Sequence, residues 1–209
     1  MKTTIVFITI FWLPSLATTT HSVENTYTEP SKKNLEFQSG DIIFQISQSG
    51  QGKAIQLATK LNYTHCGIIY EIDNQFFVYE AVQPVKLTPL KEWINRSEKG
   101  HFVTKRLKNA DKIITKDVVQ KMLDIGKTFQ AKNYDIWFSW SDENIYCSEL
   151  VWKIYKRAVN IEVGKCQLLK DFDLSHPEIQ PIINEETVIS PQAILESENL
   201  ELIMGKPLS

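Results

Sequence analysis

Two β-rich runs separated by Asp73-Asn74 constrain the fold more than any other feature of this chain. Thr64-His65-Cys66-Gly67-Ile68-Ile69-Tyr70-Glu71-Ile72 and Gln75-Phe76-Phe77-Val78-Tyr79-Glu80-Ala81-Val82 are rich in β-branched and aromatic residues. Asp and Asn tolerate positive φ, so Asp73-Asn74 suits a two-residue hairpin turn. That turn fixes a register in which Ile72 pairs with Gln75, Gly67 with Glu80 and His65 with Val82. Because side chains alternate along a strand, His65, Gly67, Ile69 and Glu80 then share one face. Glu80 becomes the diagonal neighbour of His65 at about 7–8 Å, within side-chain reach. By the same parity Cys66 points the other way, with Ile68, Tyr70 and Ile72, and reads as a core residue. A three-residue turn would move Glu80 to that opposite face and undo the pairing.

The second informative stretch is Tyr146-Cys147-Ser148-Glu149-Leu150-Val151. Asn144 reads as an N-cap, and Cys147, Leu150, Val151 and Ile154 form one stripe at helical spacing. Cysteine in a first helical turn faces unpaired N–H groups and the positive end of the helix dipole, which favour thiolate. A cysteine that opens a core stripe is equally at home as a buried packing residue. His65 alone is more often a satisfied structural histidine. Together with Glu80 the three residues make a nucleophile, a base and a carboxylate that fixes the base's tautomer.

These residues carry a resemblance to the permuted NlpC/P60 superfamily and, within it, to the YiiX-like cysteine peptidases. The matching pieces are Ser39-Gly40-Asp41-Ile42-Ile43-Phe44, Asn62-Tyr63-Thr64-His65-Cys66-Gly67-Ile68, Val78-Tyr79-Glu80-Ala81, Tyr134-Asp135 and Ile145-Tyr146-Cys147-Ser148-Glu149-Leu150-Val151. Histidine before cysteine marks the permuted branch. The resemblance implies an α+β, papain-like fold with a cysteine-bearing helix packed on a small antiparallel sheet. It implies Cys147 as nucleophile, His65 as base and Glu80 as the third, polar member.

Composition agrees with one globular domain. The chain has 209 residues, 43% hydrophobic and 23% charged, with a formal net charge of −2. No basic excess points to nucleic acid. Ile5-Val6-Phe7-Ile8-Thr9-Ile10-Phe11-Trp12-Leu13-Pro14-Ser15-Leu16-Ala17 follows Lys2 and has the order of a secretory signal, with 18–35 as a polar linker and 36–209 as the enzyme domain. It is shorter than a membrane span needs. An exported protein, periplasmic or extracellular, is therefore expected. The three cysteines of an exported chain leave at least one unpaired, and a Cys66–Cys166 bridge stays open.

Elsewhere the pattern predicts a strand over 41–46, helices over 53–61, 90–95, 115–129 and 145–157, and strands over 101–107 and 200–204. Ser190-Pro191 reads as a cap followed by proline at the first helical position. His101 is an alternative orienter of His65, and Tyr146 a donor to an oxyanion. Asp135, Asp142 and Glu143 favour the positive end of the cysteine helix, and Asp135 is also a groove residue for a cationic substrate group. Trp137, Phe138 and Trp140 read as core or groove wall. No ligand spacing indicates a metal, and no cofactor is expected. The expected function is a cysteine hydrolase acting through a thioester on a peptide or amide bond of the cell wall. A lipid acyl hydrolase or acyltransferase resembling lecithin:retinol acyltransferase is the runner-up, and a secreted binding module without turnover the third reading. The expected partners are a small peptide, amide or acyl-lipid substrate, at a cell-wall or membrane surface.

Overall fold

Asp73 and Asn74 both take left-handed backbone conformations, with φ of 51° and 59°. Such a turn matches the right-handed twist of its flanking strands and joins them with no extra residue. The computed structural model describes residues 36–48, 56, 62–168, 170, 172 and 187–205. The leader and linker expected over 1–35 and, apart from Gln56, the helix expected over 53–61 lie outside the described residues.

The hairpin consists of β2 (His65–Ile72) and β3 (Gln75–Glu80). Ile72 pairs with Gln75, Ile69 with Val78 and Ile68 with Tyr79, which is the register the two-residue turn requires. β1 (Ile42–Ser47) lies on the other side of β2, and β4 (Lys86–Pro89) beyond β3. β5 (Ser97–Leu107) and β8 (Leu200–Met204) complete a six-stranded sheet of order β4-β3-β2-β1-β5-β8. Every pairing in it is antiparallel. A two-stranded pair, β6 (Gln167–Leu168) with β7 (Thr187–Val188), stands apart from it. The helices are α1 (Leu90–Asn95), α2 (Ala110–Ile113), α3 (Lys116–Lys127), α4 (Cys147–Val159) and α5 (Pro191–Leu195).

The sheet has two unequal faces. One side gathers Ile42, Phe44, Cys66, Ile68, Tyr70 and Tyr79 against Leu150, Val151 and Ile154 of α4, with Met122 of α3. Fully burying a side chain of this kind contributes roughly 1.5–3 kcal/mol, so most of the hydrophobic stabilisation lies here. The opposite side is small: Ile43, Ile69 and Val78 meet Leu90 and Trp93 of α1. Polar groups are concentrated beside that smaller cluster.

Local signals account for several boundaries. Thr115 caps α3 by accepting the Val118 N–H at 3.4 Å, and Ser190 caps α5 by accepting the Ala193 N–H at 3.1 Å. The cysteine helix differs from expectation. Tyr146, in extended conformation, occupies its N-cap position instead of Asn144, so Cys147 is the first helical residue. The Tyr146 N–H donates at 3.4 Å to Glu149 Oε2, from the third helical position, and this reach-back sets the start. β5 begins earlier than residue 101, because Lys99 and Gly100 at positive φ turn the chain inside the strand.

Candidate active site

Glu80 ends β3 with its side chain fully buried, and that cost has to be offset by partners. His65 Nε2 lies 2.6 Å from Glu80 Oε2, and Trp93 Nε1 donates to the same oxygen at 2.8 Å. Thr88 Oγ1 donates to Oε1 at 2.6 Å, and Arg96 Nη2 donates to it as well. Each contact follows from the fold. Glu80 pairs with Lys86 and Val78 with Thr88, so Thr88 is the diagonal same-face neighbour of Glu80. Trp93 reaches in from α1 and Arg96 from the residue that caps it.

Gly67 makes the approach of β3 possible. A Cβ there would lie 2.5 Å from Val78 Cγ1 and 2.8 Å from the Tyr79 carbonyl oxygen. It would also stand 3.4 Å from the Glu80 Cβ. Any side chain at 67 would push β3 away and lengthen the His65–Glu80 bond.

His65 is the first residue of β2 and is 8% exposed. The indole of Trp93 stacks on its ring, with centroids 6.0 Å apart and planes 26° from parallel. With Nε2 held by Glu80, Nδ1 is the nitrogen left for the hydrogen bond between His65 and Cys147. Burial alone would depress the imidazole pKa. The hydrogen bonds to Cys147 and Glu80 outweigh it and raise His65 to about 9. Glu80 shows the complement: burial pushes it up, but His65, Thr88 and Arg96 bring it down to about 2.

Cys147 is the first residue of α4 and is 1% exposed. Its thiol is held well below the ordinary value, first by a hydrogen bond from Cys66 and then by His65, against the opposing effect of burial. The Tyr134 hydroxyl lies 3.9 Å from Cys147 Sγ. Tyr134 is anchored by a parallel bridge to Ile145 and by its own N–H, which donates to Gln83 Oε1 at 2.7 Å.

The structure thus binds His65 to Glu80, puts Cys147 close enough to raise the imidazole, and places the other candidates elsewhere. The Tyr146 phenol is buried and accepts the Ile189 N–H at 3.1 Å, with Phe138 packed edge-on at 5.1 Å. Asp135 is buried, and its Oδ1 accepts the Trp137 N–H at 2.8 Å. Asp142 does not sit at the helix start: it pairs with Lys153 and Arg157 along the side of α4, each at 2.8 Å. His101 contacts the Tyr63 hydroxyl at 3.1 Å. Trp140 packs on Trp152 at 5.3 Å, whereas Trp137 is 49% exposed and not part of the core. Cys66 and Cys166 are both free thiols.

The roles of Thr88, Trp93, Arg96 and the Tyr134 hydroxyl do not show in the sequence. The spacing of Trp93 and Arg96 on one short helical face was the available signal. It points to a shared target only when Glu80 is known to be buried beneath it. Cys66 was assigned to the correct face, but that face is the one α4 covers, so it meets Cys147.

An antiparallel sheet that supplies histidine and carboxylate, with a cysteine-headed helix packed on it and the histidine first in the chain, defines a permuted papain-like protein. This chain belongs to the family described as permuted papain-like amidase enzyme, YaeF/YiiX, C92, which it matches over residues 36–204. It is 45% identical over 175 residues to the uncharacterized protein YiiX of Escherichia coli strain K12, covering 79% of this chain and 85% of that one. Among solved structures it is similar to the crystal structure of metalloprotein yiiX from Escherichia coli O157:H7, DUF1105. The TM-score is 0.75 at 44% identity, over 82% of this chain and 98% of the other.

Proposed function

We propose that this chain is an exported cysteine hydrolase that cleaves an amide or peptide bond of a cell-wall peptide through a thioester on Cys147. The observation that carries the reading is His65 Nε2 at 2.6 Å from Glu80 Oε2, beside a Cys147 thiol that sits at a helix N-terminus and is held low by His65. His65 holds Cys147 as a thiolate–imidazolium pair, and the sulfur attacks the carbonyl carbon. The Cys147 N–H and the Tyr134 hydroxyl, already beside the sulfur, donate to the oxygen as charge develops on it. The imidazolium, oriented by Glu80, protonates the leaving amine. Water, deprotonated by His65, then attacks the thioester, releases the acid and restores the thiol. The apolar run behind Lys2 and the family's amidase description support export and an amide substrate.

The solved relative is described as a metalloprotein. Among the described residues of this chain, no group of three or more His, Cys, Asp and Glu side chains is arranged to hold a metal ion. Those residues do not fit a metal centre.

One observation favours a second reading, acyl transfer from lipid. Ile136 and Trp137, in the segment leading from Tyr134 to the nucleophile, are 57% and 49% exposed. The test is to incubate the leaderless protein with muropeptides and, separately, with phospholipid vesicles, analysing products by mass. Peptide fragments absent with Cys147→Ala support the amidase. Free fatty acid absent with the same variant overturns it in favour of lipid chemistry. Binding without turnover, unchanged in Cys147→Ala, leaves a binding module.

A further inference from the structure

The nucleophile has a second thiol beside it. β2 turns Cys66 toward the face that also carries Ile68 and Tyr70, and α4 covers that face with Cys147 at its first position. Both sulfurs are buried in the same cluster and unbridged, and each acts on the acidity of the other. The Cys66 backbone also hydrogen-bonds Cys147. A buried thiol needs no partner to be stable, and an alanine or valine would pack there as well. Its apposition to the one activated sulfur gives it a chemical consequence.

We infer that Cys66 and Cys147 form a reversible modification site, in which Cys66 resolves an oxidised Cys147 into an intramolecular disulfide. The inference rests on Cys147 being the thiolate of the proposed hydrolase. The oxidant is a hydroperoxide, ROOH. The Cys147 thiolate attacks the distal oxygen and the O–O bond breaks. Sulfenic acid forms, sulfur is oxidised by two electrons, and the departing alkoxide takes its proton from the His65 imidazolium as ROH. The Cys66 thiol then gives its proton to the sulfenic oxygen. The Cys66 sulfur attacks the sulfenic sulfur, and hydroxide leaves with that proton as water. The net change is two thiols and ROOH to one disulfide, ROH and water. The second step is assisted by loss of charge: burial and the neighbouring thiolate hold the Cys66 thiol high, and the sulfenic acid removes the thiolate. The disulfide protects the nucleophile from sulfinic acid, which thiols do not reverse. Cys166 is a built-in control, since burial and nearby carboxylates push its thiol up to about 11.

The experiment treats the leaderless protein at neutral pH with hydrogen peroxide, alkylates remaining thiols, and maps peptides by mass. The expected product is a Cys66–Cys147 cross-linked peptide, two hydrogens lighter than the pair, with alkylation of Cys147 restored by dithiothreitol. Cys66→Ala should accumulate Cys147 sulfinic acid at least about tenfold faster, with no recovery by dithiothreitol. Wild-type protein that gives sulfinic acid at Cys147 as fast as Cys66→Ala, with no cross-link, overturns the inference while leaving the nucleophile intact. Cys147 oxidised no faster than Cys166 overturns the nucleophile itself, and the inference with it. The wild-type cross-link decides the matter even if Cys66→Ala folds poorly.

Discussion

Two buried carboxylates, each held by an arginine, behave differently in this molecule. Asp41, just before β1, takes both Nε and Nη2 of Arg106 from β5, at 2.6 and 2.8 Å, and the Gln38 N–H at 2.9 Å. Glu80 takes Arg96 too, but also His65, Thr88 and Trp93. At Asp41 burial outweighs the arginine and the carboxyl is raised above its usual range. At Glu80 the added imidazole and hydroxyl reverse the balance, and the pKa falls to about 2. The Asp41 pair joins two strands and ends there, because a guanidinium has no proton to exchange near neutrality. The Glu80 pair passes its charge to a ring whose other nitrogen meets a sulfur. A buried ion pair becomes chemistry when one partner keeps a second, titratable contact.

Breaking the sulfur end should have the largest effect. Cys147→Ala is expected to reduce turnover to background while leaving the unfolding midpoint near wild type. His65→Ala should slow Cys147 alkylation by about 10²- to 10⁴-fold near pH 6, the usual contribution of a positioned acid–base group. Breaking the other pair should do the opposite. Arg106→Ala leaves Asp41 buried without its counter-charge, which costs about 3–5 kcal/mol in urea unfolding, with the pH profile of Cys147 alkylation unmoved. A shifted profile would show that the two regions are coupled.

Smaller changes sharpen the contrast. Glu80→Gln removes the charge that helps raise His65, so the imidazole pKa, followed by NMR, should fall from about 9 toward its ordinary value. Each unit lost is about 1.4 kcal/mol of ion-pair stabilisation. The sign of the pH dependence follows. His65 is raised on folding, so its contribution is complete below its unfolded value near 6.5 and is lost as pH rises through about 9. Glu80 is lowered, so its contribution is complete above about 4.5 and is lost as pH falls toward 2. Glu80→Gln should flatten both limbs of stability against pH, and unchanged limbs would contradict the charge balance. The smallest effect belongs to Arg96→Gln. Its side chain is 37% exposed, and removing it leaves more of the Glu80 charge to His65. The imidazole should titrate slightly higher, by less than about one unit.

The hairpin shows why much of this was legible in the sequence. A two-residue turn, strand alternation and one carboxylate were enough to put Glu80 beside His65, because both rules act over a few residues. Ser190-Pro191, Leu90–Asn95 and Leu200–Met204 were readable for the same reason: their signals are local. What was not legible depends on how distant segments pack. Trp93 and Arg96 gain their roles only when α1 folds over Glu80, and Tyr134 only when its bridge to Ile145 brings it to the sulfur. Cys66 was given the correct face without the knowledge of what covers it. Asn144 looked like a cap by residue type, but the Glu149 carboxylate set the helix start two residues later.

The most direct test of the central claim is the pH dependence of iodoacetamide labelling of the protein without residues 1–17, with each cysteine followed separately by peptide mass. Cys147 should label rapidly near pH 6, where Cys66 and Cys166 are silent, and His65→Ala should move its midpoint upward. Cys147 labelling no faster than Cys166, or unaffected by His65→Ala, would contradict it and reduce the Glu80–His65 pair to a structural contact like that of Asp41 and Arg106.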